Sequence, residues 1–258
     1  MAFDSAGADS AGMSSIIMAP SAGTVGGWVN LNNLPTASSG NRMILFSIWD
    51  RASDFSHSHQ WGIGLRDNFS ATVPHFFIID SGGSSTLDHT TTLSTSTLYH
   101  IVGSWSGISG TVTHKIYVNG SVVSDTGATG RDPANDDGDV APRTTVSGVD
   151  SFGSVAEEAD GCVSEMACFS SQLSDAAVAN WYNSGSGERA DDAGVGSPVE
   201  YYRISPVTPL DTPEVGEIST PGNDLTHDGT PSFCTHPFDS SGGGGPSLLP
   251  RLTLLGAG

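Results

Sequence analysis

Residues 49–61 hold the side chains best suited to contact a ligand. Two histidines stand two positions apart in a polar loop, and a tryptophan lies at each border of that loop. Imidazole pairs bind Zn²⁺, and exposed aromatic rings offer sugars a flat apolar surface. No clear third and fourth zinc ligand accompanies the histidines, so we interpret them as exposed polar groups. The predicted contact residues for carbohydrate or another surface are Trp49, His57, His59 and Trp61.

The loop at residues 127–143 is rich in carboxylates and is the best candidate for a metal site. Ca²⁺ takes six to eight oxygen ligands, which such a loop can supply. The spacing is not that of an EF-hand, so a solvated acidic loop stays open as the alternative. The candidate calcium ligands are Asp132, Asp136, Asp137 and Asp139, and Asn135 lies between them. No other cofactor is predicted.

The carboxylates at residues 158–165 lack the arrangement that glycoside hydrolysis needs. A glycosidase places two carboxylates on either side of the bond that it cleaves. Glu158 and Asp160 share one face of an extended chain, but the odd spacing to Glu165 puts that residue on the opposite face. The first two also lie in a segment typical of a turn. We find no nucleophile elbow, phosphate loop or dinucleotide motif. We therefore predict no catalytic residues and no enzyme activity.

The charge of the chain excludes several classes of partner. One lysine and eight arginines stand against 28 acidic residues, for a formal net charge of −19. Nucleic-acid binding requires clustered cations, and anionic membranes repel so acidic a protein. The sequence has no secretory signal at its start and no apolar stretch long enough to span a membrane. We expect a protein made in a cytoplasm.

The cysteines predict free thiols. Cys162 and Cys168 share one predicted strand, six residues apart, which separates them by roughly 20 Å at about 3.3 Å per residue. A disulfide requires Cα atoms within about 7 Å, so these two should not pair. With Cys234, they are expected to be free and mostly buried, as in a reducing compartment.

The elements that must position these residues are short strands. Apolar and polar residues alternate along most of the chain, with turn-forming residues between the runs. Asn119-Gly120 lies between two apolar runs and predicts a tight hairpin, in which both turn residues need positive φ. Trp28 and Trp105 alternate with core residues and are predicted to be buried. Strands are predicted at residues 13–18, 25–34, 43–49, 61–66, 75–80, 87–93, 98–105, 112–118, 144–148, 161–170 and 201–204. One more strand is predicted to begin at residue 122.

One helix is predicted after residue 173. Ser174 is a suitable N-cap, and Asp175 lies in the first turn, where the helix dipole favours an acid. Leu173 and Val178 have the spacing of a hydrophobic staple. Either of the glycines at positions 185 and 187 is expected to end the helix.

Several motifs together resemble one family. They are GGWVNLNNLP, ILFSIWD, WGIGLRDN, LYHIVGSWSGISGTVTHKIYVNG and GCVSEMACFSSQLSDAAVANWYN. Their order and spacing are similar to those of concanavalin A-like, laminin G-like domains of bacterial and phage proteins. The resemblance implies an all-β, antiparallel jelly-roll sandwich with one short helix over residues 1–185. Residues 186–258 then form an irregular C-terminal extension, of which the first part is a candidate to complete the sandwich.

The resemblance also carries an expectation of function. It implies a non-enzymatic virion structural protein of a bacteriophage, such as a capsid decoration, head-fibre or tail-associated component. The extension would dock on other virion proteins, in an oligomeric assembly, and the sandwich would be displayed towards host-surface glycans. A stand-alone carbohydrate-binding module, with or without Ca²⁺, is the alternative, and a glycoside hydrolase is the least favoured. Val163-Ser164-Glu165 departs from the family's Ile-Asp-Glu, and Gln172 from its Arg.

Overall fold

The computed structural model of the chain describes residues 21–35, 42–50, 59–67, 71–80, 83–107, 111–129, 143–146, 161–187, 189–204, 215–217, 232–234 and 251–254. The predicted strand at 13–18 and the acidic residues of the candidate calcium site lie outside these ranges. Strands β1 to β7 are Ala22–Leu31, Arg42–Asp50, His59–Asp67, Thr72–Asp80, Gly83–Asp88, Leu98–Ser106 and Thr111–Val118. Strands β8 to β14 are Ser121–Thr129, Arg143–Val146, Gly161–Phe169, Glu200–Ile204, Val215–Glu217, Ser232–Cys234 and Arg251–Leu254. Helix α1 is Asp175–Tyr182.

The strands form two antiparallel sheets. The larger sheet has the order β12-β11-β10-β1-β6-β7-β8, with β14 beside β10 and β13 beside β14. The smaller sheet has the order β5-β4-β3-β2-β9. This arrangement, with one short helix, confirms the predicted concanavalin A-like jelly-roll sandwich.

The inner core lies between the two sheets. Trp61 of β3 and Trp105 of β6 are both fully buried there, and their rings meet edge to face with centroids 6.1 Å apart. Aromatic pairs prefer this geometry to a face-to-face sandwich. Ile63, Phe76 and Ile116 belong to the same cluster. The predicted burial of Trp28 and Trp105 is confirmed, with 2% and 0% of their surfaces exposed.

A second core lies on the other face of the larger sheet. Helix α1 and the segment 189–199 cover this face and bury residues of β6, β7 and β10. The members of this outer core include Val102, Tyr117, Phe169, Val178, Trp181 and Val195. The larger sheet is therefore buried on both faces and forms the middle layer of three.

Helix α1 begins as the sequence predicts and ends differently. The Ser174 side chain accepts a hydrogen bond from the Ala177 amide at 3.1 Å, and Leu173 and Val178 lie in one apolar cluster. The end is set by Asn183, whose φ of 44° is left-handed, and not by either predicted glycine. Asn tolerates this conformation well, and its amide donates to the Ala179 carbonyl.

The strand predicted at 87–93 is displaced towards the N-terminus. Strand β5 ends at Asp88, which pairs with His75 of β4. Beyond it, the His89 amide donates to the Pro74 carbonyl, and the Leu93 amide donates to the Thr72 carbonyl. These separate contacts satisfy the backbone without a ladder, so the threonine-rich stretch is a loop.

The described parts of the C-terminal extension join the larger sheet. The strand predicted at 201–204 is confirmed as β11, which pairs with β10 through Cys168 and Glu200. Strand β12 continues the sheet beside β11, and β14 pairs with the first half of β10. These described pieces of the extension therefore pair with strands of the larger sheet.

Candidate functional site

The β2–β3 hairpin brings two of the predicted contact residues close together. Its register pairs Asp50 with His59 and Trp49 with Gln60. Trp49 and His59 therefore occupy the same end of the two paired strands. The structure describes the backbone of Trp49 and His59 but not the side chains, and His57 lies outside the described residues. Their role as contact residues stays a prediction.

Trp61 is not a contact residue, and that part of the prediction is wrong. Its side chain has no exposed surface and packs against Trp105 in the inner core. The reason is strand alternation: Trp61, Ile63 and Leu65 all fall on the face of β3 that points to the larger sheet. The sequence places Trp61 beside a polar loop, and only the sheet register shows which face it occupies.

A charged row crosses the smaller sheet on its outer face. The register places Gly64, His75 and Asp88 side by side on β3, β4 and β5. The nitrogen Nδ1 of the buried His75 lies 2.5 Å from Oδ1 of Asp88, and Arg66 Nη1 lies 3.6 Å from Oδ2 of Asp88. Phe77 stacks on the His75 ring with centroids 6.0 Å apart. The histidine thus fixes a carboxylate that has a guanidinium on its other side.

The two ends of this row are open to solvent. The Arg66 and Asp88 side chains are 41% and 36% exposed, and His75 is 1% exposed. Ser84 and Thr86 of β5 add exposed hydroxyl side chains to the same strand as Asp88. Together these groups donate and accept hydrogen bonds in fixed directions. The row cannot be recognised in the sequence, because its members come from three strands that only the sheet register brings together.

Two other buried histidines have structural roles. His89 donates from Nε2 to the Ser121 carbonyl at 3.2 Å, and its Nδ1 accepts from the Thr91 amide at 3.0 Å. Burial lowers the pKa of His89, and the bond to Ser121 opposes that shift. His114 lies in the interior with its ring edge-on to Phe76, and burial lowers its pKa against the opposing charge of Asp125. Neutral imidazole is therefore the form that both sites favour.

Lys115, the one lysine in the sequence, binds the start of helix α1. Lys115 Nζ lies 2.5 Å from Oδ1 of Asp175, and the Tyr117 hydroxyl donates to the same oxygen at 2.8 Å. These two hydrogen bonds, that from Lys115 first, lower the pKa of Asp175. Burial raises the pKa of Tyr117, and the hydrogen bond to Asp175 raises it by a smaller amount. This cluster ties the first turn of α1 to β7.

The carboxylates and thiols that the sequence singles out fall into three cases in the structure. No group of three or more His, Cys, Asp or Glu residues in the described ranges is placed to hold a metal ion. Glu165 has a φ of 54° in an irregular part of the β1–β10 pairing and lies in the field of Arg189. Glu158 and Asp160 lie outside the described residues. Cys168 is a free, buried thiol, as the sequence predicts, and burial raises its pKa.

The sequence and the fold both match known proteins. The family model of the concanavalin A-like lectin/glucanases superfamily, Laminin_G_3, matches residues 5–179, which is more than half of the chain. The chain belongs to the concanavalin A-like lectin/glucanase superfamily. A search of curated proteins found no match.

Solved structures show the same fold at low sequence identity. A Bacteroides ovatus protein with a proposed role in carbohydrate binding is 15% identical, with a TM-score of 0.51 over 80% of this chain and 51% of its own. The CBM40 module of a Ruminococcus gnavus IT-sialidase is 14% identical, with a TM-score of 0.50 over 64% of this chain and 84% of its own. Identities this low establish the shared sandwich alone. Among the described residues, the structure contains no helix that could span a membrane.

Proposed function

We propose that this chain is a non-catalytic carbohydrate-binding domain and that the outer face of its smaller sheet contacts the glycan. The observation that carries the proposal is the row of Arg66, His75 and Asp88. A guanidinium and a carboxylate, both partly exposed and held in place by a buried histidine, match the paired hydroxyl groups of a sugar ring. Such pre-organised polar groups give a binding site its orientation and specificity.

Two further observations support binding without catalysis. The spacing of Glu158, Asp160 and Glu165 is not that of a glycosidase pair, and Glu165 lies in the field of Arg189 in an irregular stretch of strand. The similar structures include a carbohydrate-binding module, CBM40, and a protein with a proposed carbohydrate-binding role. The net charge of −19 opposes the approach of acidic sugars, so we propose neutral glycans as the ligand class.

The proposal is tested by glycan-array binding of three variants. Arg66→Ala and Asp88→Asn each remove one side of the charged pair, and we expect at least a tenfold loss of affinity for the neutral glycan bound best. Arg189→Ala is the matched control, because Arg189 is also paired to an aspartate, at 2.7 Å from Asp191, but lies beside the helix layer. It should change affinity less than twofold. Equal binding by all three variants at unchanged thermal stability contradicts the proposed face.

The hairpin end at Trp49 and His59 forms a second part of the proposed contact face. Trp49→Ala removes a ring that stacks on a sugar, and it should weaken binding further when combined with Asp88→Asn. Binding that is lost in chelator but unchanged in Asp88→Asn would instead support the candidate calcium loop of residues 132–139.

We also propose that the domain is displayed on a bacteriophage particle, as a capsid decoration, head-fibre or tail-associated protein. The motifs that resemble phage domains and the acidic, lysine-poor composition support this. Weak glycan contacts multiplied over many copies would then give useful avidity. Mass spectrometry of purified particles tests the proposal. Absence of the protein from particles, with glycan binding intact, favours a stand-alone module.

A further inference from the structure

An aromatic enclosure holds His100 between the larger sheet and helix α1. Its ring lies 4.8 Å from that of Trp28 on β1 and 4.8 Å from that of Trp181 on the helix. The Tyr182 ring stacks against the rings of His100 and Trp28, with centroids 6.0 Å and 5.9 Å away. The side chain of His100 has no exposed surface. It is therefore part of the contact between helix and sheet.

The enclosure offers the imidazole no polar partner. Neither ring nitrogen of His100 has a hydrogen-bond partner within the part of the chain that the structure describes. Its backbone, in contrast, is fixed: the amide donates to Asn119 Oδ1 at 2.9 Å and the carbonyl accepts from the Asn119 amide at 2.9 Å. Strand pairing therefore holds the His100 residue on the face of the sheet that helix α1 covers. A charge on it would remain buried until the helix side opens.

Few charged groups face this ring from the elements around it. Strand β1 and the turn at residues 119–120 bring none, and α1 brings the Tyr182 hydroxyl. Asp175 lies six residues before Trp181, roughly 9 Å along the helix, and is already bound to Lys115 and Tyr117. On β10, Glu165 lies in the field of Arg189, as do Asp191 and Asp192 of the segment after the helix. His75 is the opposite case, because its Nδ1 lies directly against the Asp88 carboxylate.

We propose that His100 makes the docking of helix α1 acid-sensitive, so that its protonation releases the helix layer while the two-sheet core stays folded. Release would uncover the outer face of the larger sheet, where Val102, Tyr117 and Phe169 lie. The exposed face would be apolar and would border Trp28. The sandwich would then present a new hydrophobic surface only in acid.

The pH range of this release follows from the position of the ring. Burial lowers the pKa of His100 to about 3, and no charged group opposes that shift. In the open state the ring meets water and has its ordinary pKa of about 6.5. The closed state is therefore fully favoured above about pH 6.5 and loses stability as the pH falls towards 3. Between pH 7 and pH 5 the opening equilibrium should rise about 25-fold.

Amide hydrogen exchange measured by NMR tests the proposal on the full chain. After correction for intrinsic rates, the protection of the α1 amides, that of Val178 included, should fall about 25-fold from pH 7 to pH 5. Amides of β3 and β4 should keep their protection. His100→Phe retains an aromatic ring but cannot be protonated, so its helix amides should show a flat profile. His100→Gln provides a second uncharged variant if the first fails to fold.

His114→Phe is the control, because His114 is also buried but lies on the inner face of the same sheet. In the His114→Phe variant, the amides of helix α1 should keep the pH dependence that they have in the original chain. The proposal is overturned if helix protection is independent of pH in the original chain. It is also overturned if the His100 variants retain the dependence, or if core amides lose protection in parallel with the helix.

Discussion

Single residues set how closely the two sheets approach. A Cβ atom at Gly103 of β6 would lie 2.3 Å from the Phe76 ring, and one at Gly23 of β1 would lie 2.9 Å from the Trp61 ring. Real atoms do not come so close, so the large rings of the smaller sheet fill space that the glycines of the larger sheet leave. The inner core depends on these matched pairs of a glycine and an aromatic residue.

Gly103→Ala should therefore lower the free energy of unfolding by about 1–3 kcal/mol, because a fully buried ring must move to admit one methyl group. Urea unfolding followed by tryptophan fluorescence measures this. The matched experiment repeats the substitution in Phe76→Leu, where the smaller side chain leaves room and the cost of Gly103→Ala should shrink. Equal costs in both backgrounds would mean that Phe76 does not limit position 103.

Helix α1 is attached to the larger sheet at both of its ends. At its start, Asp175 receives hydrogen bonds from Lys115 and Tyr117 of β7. At its end, Trp181 and Tyr182 close over His100 and Trp28. The helix has only eight residues, and isolated helices of this length are unstable in water. Its stability must therefore come from these contacts with the sheet.

Tyr117→Phe and Lys115→Met should weaken this attachment by different mechanisms. Tyr117 is almost fully buried, so loss of its bond to Asp175 should cost about 1 kcal/mol of unfolding free energy at any salt concentration. The Lys115 pair is exposed on its acidic side, so Lys115→Met should cost about 0.5 kcal/mol, and less at 1 M salt. Urea unfolding at two salt concentrations separates them. A salt-dependent Tyr117→Phe effect would contradict the assignment.

The molecule as a whole closes one edge of its larger sheet with residues from the far end of the chain. Strand β10 pairs with β1 on one side, and on the other with β11 through its second half and β14 through its first half. An uncovered edge of this kind would be open to pairing with other chains. The described pieces of the extension thus protect the sandwich, whatever else the extension binds.

A designed disulfide tests this placement. Cys162 of β10 and Thr253 of β14 are direct register partners, and opposed residues of an antiparallel pair lie about 4.5–5.5 Å apart, within disulfide reach. Oxidised Thr253→Cys should give an intramolecular link between positions 162 and 253, read by peptide mass spectrometry. Thr253→Cys with Cys162→Ser is the control and should give no such link. Disulfide-linked dimers instead would mean that β14 pairs with a second copy of the chain.

The sequence alone determined the fold class, because the features that specify it are local. Alternating apolar residues defined most strands, and Ser174 marked the helix start through its own capping bond. Asn119 and Gly120 both adopt the positive φ that their residue types predict, at 51° and 77°. The burial of Trp28 and Trp105 followed from the same alternation. These choices depend on neighbours within a few residues, which a reader of the sequence can see.

Only the tertiary structure decided which residues form the candidate site. The neighbours of Trp61 in the sequence predict a contact surface, but the sheet register places its side chain in the inner core. Arg66, His75 and Asp88 come together because three strands align, and His100 is enclosed because a helix 75 residues later folds over it. Contacts between distant segments depend on register and layer order. Neither is encoded in any short stretch of the chain.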